Sequence, residues 1–98
     1  MAGTSIDVSR IRDGDPSEFE VVVREGASRS RHLVTMTRED FERFAGGDVD
    51  QDRFIEAAFR FLLDREPKES ILARFDVSVI SRYFPAFERE IMRYIASA

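Results

Sequence analysis

At Thr37 the spacing of the apolar residues changes, and no single regular structure accommodates both patterns. Before it, EFEVVVRE (residues 18–25) sets Phe19, Val21 and Val23 at alternate positions, which places them on one face of a strand. After it, Phe54, Ile55, Ala58, Phe59, Phe61 and Leu62 recur at the three-and-four spacing of a helix. Strand side chains repeat every two residues and helix side chains every 3.6, so the two halves must form segregated elements. The expectation is a single α+β domain over residues 1–98, mainly β to residue 37 and mainly α from 38. Its start is an antiparallel hairpin or three-stranded meander, followed by four or five short helices packed on one sheet face.

The strands are bounded by turn residues. RHLVTMT (residues 31–37) pairs with the 18–25 strand across a loop over Gly26–Ser30. SIDVSRI (residues 5–11) alternates Ile6 and Val8 and predicts a third strand that Arg10 interrupts, with DGDPS (residues 13–17) as its turn. Residues 1–5 read as a flexible lead.

The helices carry their own start and stop signals. Thr37 with Asp40 resembles a capping box before Phe41 and Phe44, and Gly46-Gly47 supplies the stop. Asp50 reads as the cap of a helix running to Asp64 or Arg65. Glu66-Pro67 ends it and opens a short helix with Ile71, Leu72 and Phe75 on one face, because proline suits only a first turn. Asp76 caps Val77 to Tyr83, and Pro85 opens a last helix carrying Phe87, Ile91, Tyr94 and Ile95.

Composition excludes several classes of function. The 98 residues contain no cysteine, which removes disulfides, thiolate nucleophiles and Cys-type zinc sites. MAGTSIDVSR lacks the positive start and apolar core of a signal peptide, and no apolar run is long enough to cross a bilayer. A soluble cytoplasmic protein is expected. The net charge is −4, and the acids concentrate in residues 38–69, with ten against six basic groups. That is not the basic footprint of phosphate-driven binding.

ILARFDVSVISRYFP (residues 71–85) imitates a helix-turn-helix. That module places a turn glycine about four residues after a small residue, and an apolar anchor about six further on. From Ala73 those positions hold Val77 and Tyr83. Aligning the recognition helix deletes two residues, which rotates it by roughly 200° at 3.6 residues per turn. Pro85 also stands where that helix should continue. A capped corner between helices is the better reading.

Two further patterns resemble binding sites. DVDQD (residues 48–52) resembles the opening of an EF-hand loop, yet Arg53 replaces its glycine and Phe59 its bidentate glutamate. Asp50 as a helix cap, with Asp52 in the first turn favoured by the positive end of the helix dipole, accounts for it better. At the hairpin tip, Arg29, Arg31 and His32 form a candidate anion or nucleic-acid contact, to which Arg74 and Arg82 are added. The bland alternative is a solvated loop whose arginines protect a sheet edge. His32 has no cysteine to activate and no G-x-S-x-G serine, and no phosphate-binding glycine loop is present. No enzyme, cofactor or metal is therefore expected.

FLLDREPKESILARFDVSVISRYFPAFERE (residues 61–90), with RHLVTM before it, resembles a group of small bacterial proteins to which no activity is attached. The resemblance covers the last two-thirds of the chain. It implies a bacterial cytosolic origin and assigns no site residue. Ten of the eleven aromatics fall between Phe41 and Tyr94, more large apolar groups than one small core needs. Tyr83, Phe84 and Phe87 around Pro85 are accordingly the candidate protein interface, toward an unknown partner or a second copy in a homodimer. The alternative is a nucleic-acid-binding regulator with a degenerate helix-turn-helix corner at 71–85.

Overall fold

The computed structural model describes residues 3–46 and 49–96. Three strands form an antiparallel meander: β1 (Thr4–Arg12), β2 (Ser17–Glu25) and β3 (Ser28–Met36). A fourth, β4 (Arg74–Asp76), joins β3 in parallel, so the sheet is mixed with order β1-β2-β3-β4. The helices are α1 (Arg38–Ala45), α2 (Gln51–Leu63), α3 (Ser78–Tyr83) and α4 (Phe87–Ala96), with a 3₁₀ turn at Lys68–Ser70. No described helix is long and apolar enough to cross a membrane.

The alternation of β2 decides which side is buried. Phe19, Val21 and Val23 are all 0% exposed, whereas Glu18, Glu20 and Val22 on the other face stay half-buried. Register carries the same face across the sheet to Ile6, Val34 and Met36. Against it stands an aromatic cluster in which Phe87 meets Phe44 and Phe61 edge-on at 5.2 and 5.1 Å. Edge-to-face rings add about 0.5–1.5 kcal/mol beyond the area they bury.

Local signals work as the chain suggests at several ends. The Thr37 side chain accepts the Asp40 N–H at 3.1 Å, and Gly46 closes α1 at φ +73°, a conformation glycine adopts without strain. The third strand forms, with a register shift between Arg10 and Arg12.

Other expectations are corrected. The hairpin turn is only Gly26-Ala27, with Gly26 at φ +57°, and Ser28–Ser30 belong to β3. Thr4 and Ser5, read as flexible, open β1; residues 1 and 2 lie outside the described residues, as do Gly47 of the helix stop and Asp48 of the calcium-like pattern. Asp50 occupies the N-cap of α2, but its side chain makes no cap hydrogen bond. The helix expected over Ile71–Phe75 is absent: the 3₁₀ turn at Lys68–Ser70 gives way to extended chain and then β4. Pairing with β3 overrides a local periodicity that rests on three apolar residues.

Lys68 fixes where that segment starts. Its side chain is only 2% exposed, and its ammonium meets Glu69 and, at 3.5 Å, Glu25 at the end of β2. The Glu69 hydrogen bond raises the Lys68 pKa above its ordinary value near 10.5.

Candidate functional site

The stretch Ile71–Phe84 builds one wall of an open apolar groove. Main-chain bonds place it: Leu33 N–H donates to the Ala73 carbonyl at 2.8 Å and Val77 N–H to the Thr35 carbonyl at 3.0 Å. Asp76 then serves two elements at once. One carboxylate oxygen accepts the Thr35 hydroxyl at 2.6 Å, and the other accepts Ser78 N–H at 3.0 Å, at the start of α3. The expected cap is displaced by one residue: α3 begins at Ser78 with Val77 at its N-cap and no cap bond from that side chain, while Asp76, the last residue of β4, satisfies the first helical amide from one position further back.

His32 holds the other end of this segment. It is 2% exposed, with Nδ1 2.7 Å from the Leu72 carbonyl and Nε2 2.8 Å from the Ser30 hydroxyl oxygen. Nδ1 must donate to that carbonyl, which leaves Nε2 as acceptor in the neutral ring. The ring also packs on Phe59 at 5.3 Å, and Phe59 on Phe75 at 5.9 Å. His32 is thus a buried tie between β3 and the groove wall, not a surface ligand at the hairpin tip.

The resulting groove has a volume of about 280 Å³ between α2, β4 and α3. Leu62, Ile71, Phe75 and Ile80 are among the residues that line it, and Glu66 stands in its wall. Leu72 and Tyr83 at its margin are 51% and 71% exposed, two of the large hydrophobic residues that the fold leaves uncovered. The Glu66 carboxylate makes no ion pair among the described residues.

The three interface candidates separate. Tyr83 and Phe84 both line the groove, with Phe84 half-buried and edge-on to Phe61 at 6.0 Å. Phe87 is 0% exposed in the core and belongs to folding rather than to a surface. Leu72 and Phe75 were missed as site residues because they read as the face of a helix. The alternation of Phe75 and Val77 toward the core around outward Asp76 was the available signal, and it spans only three residues.

The basic candidates do not form one patch. Arg29 and Arg31 lie on the outer sheet face, where Arg31 pairs with Glu20, and nearby Arg24 and Arg12 pair with Asp7 and Glu18 at 3.1 and 3.2 Å. Arg29 and Arg31 border a shallow depression with Glu20 and Val22. Arg74 stands beside Leu33 on that same face, and Arg82 is on α3; both are exposed and make no ion pair among the described residues. No family model matches the chain, and no curated protein or solved structure matches it either.

Proposed function

We propose that this chain is a small non-catalytic module that works by holding another polypeptide in the groove between α2, β4 and α3. The supporting observation is the coincidence of a formed, largely apolar groove with Leu72 and Tyr83 exposed at its margin. Exposed apolar groups clustered at a concavity are what a protein contact buries, and aromatic residues are the usual anchors. Hydrogen bonds to β3 hold the 72–76 wall of the groove at both of its ends, so a partner meets a wall already in place.

A nucleic-acid role draws less support. The outer-face arginines are largely matched by Asp7, Glu18 and Glu20, which leaves little net charge to displace counterions. The test is a pull-down with nuclease, comparing the native chain with a Leu72→Ser, Tyr83→Ser variant. The expected result is a protein that survives nuclease and is lost on the variant. Loss on nuclease alone, or capture that ignores both substitutions, overturns the proposal.

A further inference from the structure

The edge strand β4 carries Arg74, Phe75 and Asp76, a charge pattern that reads the same from either end with the signs exchanged. The bonds from Leu33 to Ala73 and from Val77 to Thr35 turn the odd-numbered main chain of residues 73–77 toward β3. In a strand, successive residues direct their N–H and C=O groups to opposite sides. The N–H and C=O of Arg74 and Asp76 therefore face away from β3 at the last strand of the sheet, with no partner among the described residues. Both side chains share the outer sheet face, beside Leu33 and Thr35, while Phe75 between them points to the helix layer and Phe59.

We propose that this edge seats a second copy of the chain, whose β4 runs antiparallel to it across a two-fold axis at Phe75. The proposal rests on the reading of the groove as a protein-contact site and names its partner. With Phe75 on the axis, Arg74 stands opposite Asp76 of the copy, and Asp76 opposite Arg74 of the copy. These are the residues whose main-chain groups face outward, so each facing pair exchanges both of its N–H and C=O bonds. Each pair also joins opposite charges, which favours this register. The neighbouring registers of the same parity set Arg74 against Arg74 or Asp76 against Asp76, and like charges directly opposite are unfavourable. Arg74 is exposed and has no ion pair among the described residues. The Asp76 oxygens accept Thr35 and Ser78, and a carboxylate has about four lone-pair sites, which leaves room for a guanidinium.

On the helix side, the axis sets Phe75 against its own copy in a non-hydrogen-bonded pair, where Cα atoms are about 4.5 Å apart and side chains are closest. Phe75 lines the groove, so the two grooves adjoin across the axis, each with Leu72 and Tyr83 exposed at its margin. The interface is isologous and closes at two chains.

Other occupants fit less well. The opposite edge, β1, is blunted by the register shift between Arg10 and Arg12, and its Asp7, Arg10 and Arg12 are already paired within the chain. Joining β1 of one copy to β4 of the next is head-to-tail and does not close. A foreign strand must bring an acid and a base two residues apart in the right order, which the copy supplies by construction.

The test is sedimentation velocity of the whole chain from about 1 μM to 1 mM, a range suited to a short edge contact. The native chain is expected to pass from monomer to dimer within it, with no larger species. Arg74→Glu sets like charges in both outer-face pairs and is expected to weaken the dimer at least about tenfold. The chain has no cysteine, so single replacements report the register. Phe75→Cys should oxidise to a disulfide dimer, because Cα atoms about 4.5 Å apart are within disulfide reach. Arg74→Cys should not, because its copy lies diagonally about 7–8 Å away. A strict monomer up to about 1 mM, a dimer indifferent to Arg74→Glu, or equal oxidation of the two cysteine variants overturns the pairing. The groove reading is scored separately by the nuclease-treated pull-down with the Leu72→Ser, Tyr83→Ser variant. If the native chain is monomeric and that variant loses a different protein, the pairing falls and the groove stands. If the chain is monomeric and the variant loses nothing, both fall.

Discussion

Removing the Asp76 carboxylate should detach the groove wall from the sheet. Asp76→Ala loses the acceptor for Thr35 at 2.6 Å and the acceptor for Ser78 N–H at 3.0 Å. Asp76 satisfies a first-turn amide of α3 as a capping side chain does, and loss of such a bond costs about 0.5–2 kcal/mol, while a hydrogen bond to a charged group is worth about 1.5–3 kcal/mol. Asp76 is only half-buried, so water recovers part of both, and about 2–3 kcal/mol remains. At about 4–8 °C per kcal/mol for a domain of this size, the melting temperature falls by roughly 10–20 °C. Asp76→Asn keeps an oxygen for Ser78 and an amide that donates to Thr35, so its loss stays below about 1 kcal/mol. Urea denaturation measures the totals. Hydrogen exchange locates them, because the Leu33 and Val77 amides bond across this junction. Asp76→Ala should expose both amides more than it exposes Val21 in the central strand. A loss under about 0.5 kcal/mol with unchanged exchange at Leu33 and Val77 refutes the reasoning.

His32→Phe preserves the packing on Phe59 but removes both hydrogen bonds, and should cost about 1–3 kcal/mol by denaturation. Phe87→Ala empties a fully buried site and should destabilise by about 3–5 kcal/mol, whereas Tyr83→Ser should stay within about 0.5 kcal/mol. Equal effects from those two contradict the division between core and groove. Lys68 has its pKa raised, chiefly by the Glu69 hydrogen bond, so its contribution is complete below about 10.5 and is lost as pH rises through the higher folded value. Glu69 has its pKa lowered, chiefly by Lys68, so its contribution is present above about 4.5 and is lost as pH falls through the lower folded value. Lys68→Met should therefore flatten the loss of stability at both extremes, measured by urea denaturation across pH.

The elements legible in the sequence are those that local patterning decides. Phe19, Val21 and Val23 announce a half-buried strand on their own, and Thr37 with Asp40 fixes a helix start within one turn. β4 was not legible, because it exists through pairing with a strand some forty residues earlier, and that distance leaves no mark on neighbouring residues. The same remoteness hid the role of His32: nothing near it in the chain points to Leu72. Aromatic surplus drew attention to the region around Pro85 but could not separate its members by burial. Tyr83 and Phe87 sit four residues apart yet end at 71% and 0% exposure, since α3 stops at Tyr83 and α4 begins at Phe87, on a different axis.

A photo-crosslinking residue placed at Tyr83, with the same residue at Val22 on the outer sheet face as control, tests the protein-contact claim most directly. Irradiated in the cells that make the chain, the Tyr83 site should yield discrete nuclease-resistant protein adducts, and Leu72→Ser should remove them. The Val22 site should yield none of the same mass. Nucleic-acid adducts at Val22 beside Arg29 and Arg31, with no protein adduct at Tyr83, contradict the account.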